Sequence, residues 1–213
     1  MQTFFQDKKS DELILLFCGW GMDEKPFLPI ESSCDILFVY DYTNLQFDES
    51  FDFLKYDKIT LVAFSAGVFM AGYLKNMLPK CHFKIAVNGT FDAFNSKLGI
   101  AGDVLVEMEN LTMETVFEFR KKLIESSAHL ELFNKYQPAR NLESSMSEFK
   151  SLREYAKEGK VVFDYDKVVM GVNDEIIPLA NQQRFWQDHS NCSVIDGGHF
   201  LFYNFVSFSG LIS

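Results

Sequence analysis

The chain has 213 residues, of which 47% are hydrophobic, and it carries a formal net charge of −10. This length is enough for one domain with a substantial core, and the composition is that of a globular protein. The negative charge argues against nucleic acid as a partner of the whole surface, because phosphate binding needs clustered Lys and Arg.

Cysteine use and the N-terminus indicate the compartment. Cys18, Cys34, Cys81 and Cys192 are far apart and form no CxxC pair, so we expect free buried thiols in a reducing compartment and no metal site. The first residues lack the layout of a signal peptide, and no apolar run is as long as a membrane span. These observations predict a cytoplasmic protein without a membrane partner.

Short apolar runs alternate with helical stretches along the chain. The runs alternate poorly with polar residues, which is typical of parallel strands buried on both faces. Helices are predicted at 68–78 and 181–188. The order of elements predicts an α/β fold, with a mostly parallel central sheet flanked by helices. The predicted strands are 13–18, 36–40, 59–64, 84–88, 167–171 and 192–195.

The segment between the fourth and fifth of these strands differs in character. From residue 116 to 160, apolar residues recur every three or four positions, which indicates amphipathic helices. We predict that residues 92–160 are a helical cap inserted within a single domain spanning 1–213. Residues 117–160 hold nine Lys or Arg and seven Glu, a net charge of +2, so the rest of the chain carries −12. The cap is therefore more basic than the body.

A serine directly follows the third apolar run. Ser65 lies in Leu61-Val62-Ala63-Phe64-Ser65-Ala66-Gly67-Val68, with a small residue two positions away on each side. Small flanks are typical of a nucleophile elbow, a strand-to-helix turn too sharp for larger side chains, although Ala63 stands where glycine is commonest. We predict that Ser65 is a catalytic nucleophile. The alternative is a serine that only caps a helix.

A serine nucleophile needs a base, and the chain offers four histidines. His199 follows the last predicted strand in a loop with two glycines, which places it at the sheet edge where strands end. His82 precedes a strand and so lies at the opposite edge, His129 belongs to the cap, and His189 ends a surface helix. The predicted base is His199.

The base in turn needs an orienting carboxylate, which precedes the histidine in the chain order Ser, Asp, His. Asp174 lies in Gly171-Val172-Asn173-Asp174-Glu175-Ile176-Ile177-Pro178, just after the fifth predicted strand. Glu175 is its nearest rival, and Asp196 is too close to His199 along the loop. The alternative role for Asp174 is that of a turn or cap residue. We predict Asp174 as the acid.

Two backbone N–H groups should face the oxyanion that forms during acyl transfer. One is that of Ala66, directly after the nucleophile. The other is expected from Gly19-Trp20-Gly21-Met22, after the first predicted strand. Trp20 would donate its backbone N–H while its ring forms a wall of the pocket. Together with the triad, this loop predicts a serine hydrolase.

The chain resembles the pimeloyl-acyl carrier protein methyl ester esterases of biotin synthesis, of the short BioG type within the α/β-hydrolases. The resemblance covers nearly the whole length and implies the α/β-hydrolase fold, with Ser65, Asp174 and His199 as the triad and Trp20 and Ala66 as oxyanion donors. It rests on Phe17-Cys18-Gly19-Trp20-Gly21, Tyr40-Asp41-Tyr42, the Ser65 elbow, Ala86-Val87-Asn88-Gly89-Thr90, Gln137-Pro138-Ala139-Arg140, Pro178-Leu179-Ala180-Asn181-Gln182 and Gly198-His199.

The resemblance also implies a substrate. It would be a seven-carbon dicarboxylate, joined to acyl carrier protein as a thioester at one end and capped as a methyl ester at the other. Hydrolysis of that ester would release methanol without a metal or organic cofactor. Cys18, Phe64 and Ala66 depart from the family's more usual residues, which leaves the preferred acyl length open.

Two further sets of residues follow from this substrate. Acyl carrier proteins are strongly acidic, so basic cap residues are expected to dock the carrier; the alternative is ordinary solvated charge on helices. Aromatic residues beside the catalytic loops are expected to line the acyl pocket. The alternatives are that they belong to the core, or that Phe117, Phe119 and Phe133 of the cap line the pocket. The predicted docking residues are Arg120, Lys121, Lys122, Arg140, Lys150 and Arg153, and the predicted pocket residues are Trp20, Phe64, Phe69, Phe91 and Phe200.

Two other functions fit the same sequence. One is a broader carboxylesterase or acyl-thioesterase that uses the same triad on another acyl group. The other, from a different class, is a non-catalytic binding protein with the hydrolase fold, which the presence of every catalytic element weakens.

Overall fold

A seven-stranded sheet forms the centre of this computed structural model, which describes residues 1–46 and 51–213. The strand order is β1-β3-β2-β4-β5-β6-β7, with β1 antiparallel to β3 and every other neighbouring pair parallel. The predicted α/β class is confirmed. The strands are Gln2–Gln6 (β1), Glu12–Phe17 (β2), Asp35–Tyr40 (β3), Lys58–Phe64 (β4), Phe83–Val87 (β5), Lys167–Gly171 (β6) and Cys192–Ile195 (β7).

The edge strand β1 was not predicted from the sequence. Phe4 and Phe5 are adjacent, so they point to opposite faces and give no alternating pattern. Both remain partly exposed, and the strand is held mainly by its backbone pairing with β3. The register joins Gln2 to Tyr40 and Gln6 to Ile36.

Seven α-helices flank the sheet in the described residues, and α2 to α5 lie between β5 and β6. We call residues 92–160, which contain these four helices, the cap. Helix α1 begins two residues earlier than predicted, directly after Ser65, and gives way to a 3₁₀ turn at Lys75–Met77. The helices are Ala66–Tyr73 (α1), Gly102–Glu109 (α2), Val116–Lys121 (α3), Ser127–Lys135 (α4), Leu142–Tyr155 (α5), Leu179–Phe185 (α6) and Phe208–Ile212 (α7).

The core has two halves, one on each face of the sheet. Successive residues of β2 point into different halves, because side chains alternate between the two faces of a strand. Ile14 and Leu16 lie in one half, and Leu13 and Leu15 lie in the other. One half packs beneath the cap and the C-terminal segment, and the other packs against α1 and Trp186. The sheet is thus covered on both sides, and its carboxyl edge is where the cap and the catalytic loops meet.

Two further findings concern the cysteines and the hydropathy of the helices. All four cysteines are free, but the expectation that they are buried is correct only for Cys18: Cys34 and Cys81 are partly buried, and Cys192 is exposed. Among residues 1–46 and 51–213, no helix has the length and hydropathy that a membrane crossing requires.

Candidate active site

Ser65 sits at the turn between β4 and α1 in a strained conformation. Its φ is 53° and its ψ is −119°, a combination that costs a non-glycine residue about 1–3 kcal/mol. The helix leaves so sharply that a Cβ on Gly67 would lie 2.2 Å from the carbonyl oxygen of Phe17. Glycine at this position therefore lets α1 approach the end of β2, as the predicted elbow requires.

The structure brings Ser65, His199 and Asp174 together in a continuous chain of contacts. His199 Nε2 lies 2.9 Å from Ser65 Oγ, and His199 Nδ1 lies 2.8 Å from Asp174 Oδ2. His199 and Asp174 are both buried, with 2% and 5% of their surfaces exposed. This is the arrangement in which an imidazole accepts a serine proton while a carboxylate fixes its orientation.

The alternative candidates lie elsewhere. Glu175 is exposed, and Asp196 accepts a hydrogen bond from the side chain of Asn173. His82 accepts from the backbone of Ile59 at the other edge of the sheet. Asp174 is thus the predicted acid that contacts His199.

Asp174 is held by three donors. Its Oδ1 accepts from the backbone N–H groups of Ile176 and Ile177, each at 2.8 Å. Its Oδ2 accepts from Gln182 Nε2 at 3.0 Å while also facing His199. These donors fix the position of the carboxylate, including the oxygen that faces the imidazole.

Asn88 and Gln182 support the triad, although the sequence analysis assigned them no role. Asn88 follows β5 in a left-handed conformation, with φ of 43°. Its amide donates to the carbonyl oxygens of Gly198 and His199, and its Oδ1 accepts from Gly171 N. Most buried amide groups have hydrogen-bond partners, but a sequence pattern does not show which backbone groups they reach.

The loop Gly19-Trp20-Gly21-Met22 lies beside the nucleophile. A Cβ on Gly19 would be 3.2 Å from the Cβ of Ser65. Within the described residues, neither the backbone N–H of Trp20 nor that of Ala66 donates a hydrogen bond. Both residues line the same cavity as Ser65 and His199, and their role as oxyanion donors stays a prediction.

An apolar cavity of about 70 Å³ opens beside Ser65. The loop after β2 and the turn into α1 supply one wall, and the cap supplies the other through Met108, Phe119, Leu123, Phe133 and Phe149. This volume is far below the roughly 300–1,000 Å³ that is usual for drug-sized ligands. The cavity therefore suits a narrow aliphatic group.

Three of the five predicted pocket residues line this cavity: Trp20, Phe64 and Phe69. The other two do not, and the prediction is corrected there. Phe91 packs against Tyr165, Phe185 and Trp186 on the other face of the sheet, and Phe200 packs in the core against rings that include Phe27 and Phe64. Both adjoin a catalytic loop in sequence, but neither side chain lines the cavity.

Arg140 is also corrected, because it is not available to a partner. Only 6% of its side chain is exposed. Its guanidinium is 2.6 Å from Glu148 Oε2 and 3.0 Å from Asp41 Oδ1, and it also donates to Ser144 Oγ at 2.6 Å. The basic residue that the sequence places on the cap surface is thus a buried ion-pair partner.

The other predicted docking residues are wholly or partly accessible. Lys150 is exposed, Lys121 pairs with Glu118 at 2.6 Å, and Lys122 pairs with Glu107. Arg153 pairs with Glu109 and lies 5.9 Å above the ring of Phe149. Arg120 lines the cavity, where burial lowers the pKa of its guanidinium and Asp23 opposes that effect.

Comparison with known proteins gives a family. The family model described as "Pimeloyl-ACP methyl esterase BioG" matches residues 1–211. A malonyl-[acyl-carrier protein] O-methyltransferase of Bacteroides fragilis is 32% identical over 197 residues, which are 89% of this chain and 39% of that protein. The chain therefore spans about two fifths of the length of this relative.

Solved structures show the same relationship. A crystal structure of BioG from Haemophilus influenzae has a TM-score of 0.89 and 29% identity, and the alignment covers 100% of both chains. An esterase from Exiguobacterium antarcticum has a TM-score of 0.63 at 14% identity, covering 95% of this chain and 90% of that one. The second likeness is one of fold.

Proposed function

The chain belongs to the BioG family of pimeloyl-ACP methyl esterases, and from that premise we propose that it is a serine esterase of biotin synthesis. It hydrolyses the methyl ester of pimeloyl-acyl carrier protein, giving pimeloyl-acyl carrier protein and methanol. The observation that carries the proposal is the contact chain from Ser65 through His199 to Asp174, at the mouth of an apolar cavity.

The first half-reaction forms an acyl-enzyme. Ser65 Oγ attacks the ester carbonyl carbon as His199 Nε2 accepts its proton, and Asp174 stabilises the imidazolium. The negative oxygen that results is held by the N–H groups of Trp20 and Ala66. When the intermediate collapses, the bond to the methoxy oxygen breaks and His199 returns the proton, so methanol leaves.

The second half-reaction restores the enzyme. Water loses a proton to His199 and attacks the acyl carbon, and the bond to Ser65 Oγ then breaks as His199 reprotonates that oxygen. The product is the free acid of the acyl chain, still joined to its carrier. The same two N–H groups serve both tetrahedral intermediates, and losing one such donor typically costs about 3–4 kcal/mol in the barrier.

The shape of the cavity agrees with this substrate. A methyl ester is the smallest alkyl ester, and most of the lining around Ser65 is apolar. An aliphatic acyl chain loses contact with water there without leaving polar groups unpaired. The thioester end and the carrier remain outside.

The basic cap supports a carrier-bound substrate. Arg120, Lys121, Lys122, Lys150 and Arg153 belong to the cap, and the rest of the chain is strongly acidic. An acidic carrier is steered toward such a surface, and opposite charges raise the association rate more than the affinity. Lys150 directly follows Phe149 and Arg153 directly follows Leu152, and both of these apolar residues line the cavity, so we place the carrier over α5.

The relative from Bacteroides fragilis supports the methyl ester. Its name describes transfer of a methyl group to an oxygen of malonyl-acyl carrier protein, which creates a methyl ester on a carrier-bound acid. An ester of this kind is the bond that a serine esterase cleaves. A chain similar to part of that protein is well suited to remove a methyl group that such a transferase adds.

The experiment compares leaving groups and chain lengths. We expect methanol release from carrier-bound methyl esters to be fastest near seven acyl carbons, while the thioester to the carrier stays intact. Faster cleavage of the thioester, or equal rates at all lengths, would favour the broader esterase or thioesterase. Failure of a fluorophosphonate probe to label Ser65 would favour the non-catalytic binding protein.

A further inference from the structure

Glu148 is a fully buried carboxylate in the middle of α5. Its Oε1 accepts from Tyr42 N at 3.0 Å, and its Oε2 accepts from Gly21 N at 2.9 Å and pairs with Arg140 at 2.6 Å. Burial raises the pKa of Glu148, and Arg140 together with the two N–H groups opposes that rise. Burying a charged pair is costly even with good partners, so the placement of this pair asks for an explanation beyond stability.

The partner Gly21 belongs to the loop that carries Trp20. Gly21 has φ of 69°, and its N–H is the next one along the chain from the N–H of Trp20. The bond from Glu148 therefore fixes the peptide that directly follows Trp20. The two peptides on either side of Trp20 share its Cα, so a displacement of the one that Glu148 holds would also displace the one that carries the Trp20 N–H.

The indole ring of Trp20 is held by the same helix. Its Nε1 donates to the carbonyl oxygen of Ser145 at 2.6 Å, and its ring lies 5.7 Å from that of Phe149 in an edge-on arrangement. Helix α5 thus holds Trp20 twice, through its ring and through the following peptide. Both attachments come from the cap, whereas Ser65 and Ala66 belong to the body.

We propose that Glu148 is a positioning residue that sets the orientation of the oxyanion loop, with Arg140 holding its carboxylate in place. The inference rests on the proposed function, since it requires the Trp20 N–H to stabilise an oxyanion. It makes this half of the oxyanion hole dependent on the docking of α5 against the loop. The nucleophile and the triad need no such docking.

The test is steady-state kinetics of Glu148→Gln on a small methyl ester without a carrier. Rates are expressed per active site, titrated by the acyl-enzyme burst. We expect kcat to fall about tenfold or more with KM changed less than twofold, because the loss arises in the transition state. Affinity for an aliphatic trifluoromethyl ketone, which forms an oxyanion on Ser65, should fall by a similar factor.

The matched control is Glu154→Gln on the same helix. Glu154 is exposed and pairs with Lys157, so this variant should retain the wild-type kcat. If Glu148→Gln folds poorly, the double variant Glu148→Gln with Arg140→Met removes both buried charges and should show the same loss of kcat per active site.

A purely structural role for Glu148 would lower the melting temperature and the fraction of active sites, while kcat per active site and ketone affinity stayed at wild-type values. That result would overturn the inference alone, provided that Ser65→Ala is inactive in the same assay. Wild-type activity in Ser65→Ala would overturn the proposed function and this inference with it.

Discussion

The side chain of Asn88 holds the backbone of His199, with Nδ2 2.7 Å from the carbonyl oxygen of the catalytic histidine candidate. The same amide donates to Gly198 at 3.0 Å, and its oxygen accepts from Gly171 N at 2.7 Å. Asn88 therefore ties the ends of β5 and β6 to the loop that carries the imidazole. Asn88 fixes the position of the His199 backbone, whereas Asp174 fixes the orientation of its imidazole ring.

Changing Asn88 to Asp tests this tie with almost no change of shape. The variant presents an acceptor to two carbonyl oxygens, so both hydrogen bonds become repulsive. We expect kcat per folded enzyme to fall about ten- to a hundredfold, since about 1–3 kcal/mol of lost interaction corresponds to that range. Asn191→Asp is the control, because that exposed amide donates to Asp166 O at the opposite sheet edge. Equal activity of the two variants would contradict the role of Asn88.

Changing Gln182 to Glu makes the support of Asp174 depend on pH. The new carboxyl group donates to Asp174 only while it is protonated, and the neighbouring carboxylate raises its pKa. As pH rises, it ionises, loses the donor and repels Asp174. We therefore expect the ratio of variant to wild-type kcat/KM to fall with increasing pH. The control is Gln183→Glu, a change of the exposed neighbour on α6, for which this ratio should not depend on pH. A ratio that is independent of pH for Gln182→Glu as well would show that Gln182 does not support Asp174.

Reversing charge on the cap tests carrier docking. The double variant Lys121→Glu with Arg153→Glu should raise KM for carrier-bound substrate severalfold at low salt, because an acidic carrier meets two added negative charges. Its rate on a small free ester should stay at the wild-type value. The control variant reverses Lys9 and Lys80, exposed residues at the opposite sheet edge. An equal loss on both substrates, or an equal effect of the control pair, would rule out docking at the cap.

The buried carboxylate of Asp35 predicts how stability depends on pH. Burial raises the pKa of Asp35, but donors from Lys8, Ser10 and Tyr56, with Lys55 nearby, outweigh it, so the pKa is lowered. Its unfolded form binds more protons, so the contribution to stability is present above the unfolded pKa and is lost as pH falls through the folded pKa.

We expect Asp35→Asn to lower the free energy of unfolding by about 2 kcal/mol at neutral pH, the usual contribution of hydrogen bonds to a charged group. The difference from wild type should shrink as the solution becomes acidic. Urea unfolding at several pH values measures it, with the exposed Asp57→Asn as the control. A difference that does not change with pH would show that the charge of Asp35 makes no contribution.

The sequence predicted what depends on short stretches of chain. Six strands were predicted within one residue at each end, because their apolar runs are continuous. The sharp turn at Ser65 was predicted because an elbow restricts its own flanks. The contacts that a side chain makes in the folded protein were harder to predict. From the sequence, Arg140 is indistinguishable from a solvated charge on the cap. Its burial depends on Glu148, eight residues later, and on Asp41, which is far away in sequence.

One signal for the buried pair was present in the sequence. Ser145, Glu148, Phe149 and Leu152 follow the spacing of three and four that marks one helix face, and all four are buried. A glutamate on an apolar stripe needs a buried partner, which points to a nearby arginine. Phe91 and Phe200 gave no such signal, because the direction of a side chain after a loop depends on local backbone angles.

The central claim is that Ser65 removes a methyl ester from a carrier-bound acyl chain. The most direct measurement is the intact mass of methyl pimeloyl-acyl carrier protein after incubation with the wild type and with Ser65→Ala. We predict that the wild type lowers the mass by that of one methylene group, as a methyl ester becomes an acid, while Ser65→Ala leaves it unchanged. An unchanged mass with active wild-type enzyme, or loss of the whole acyl group from the carrier, would contradict the account.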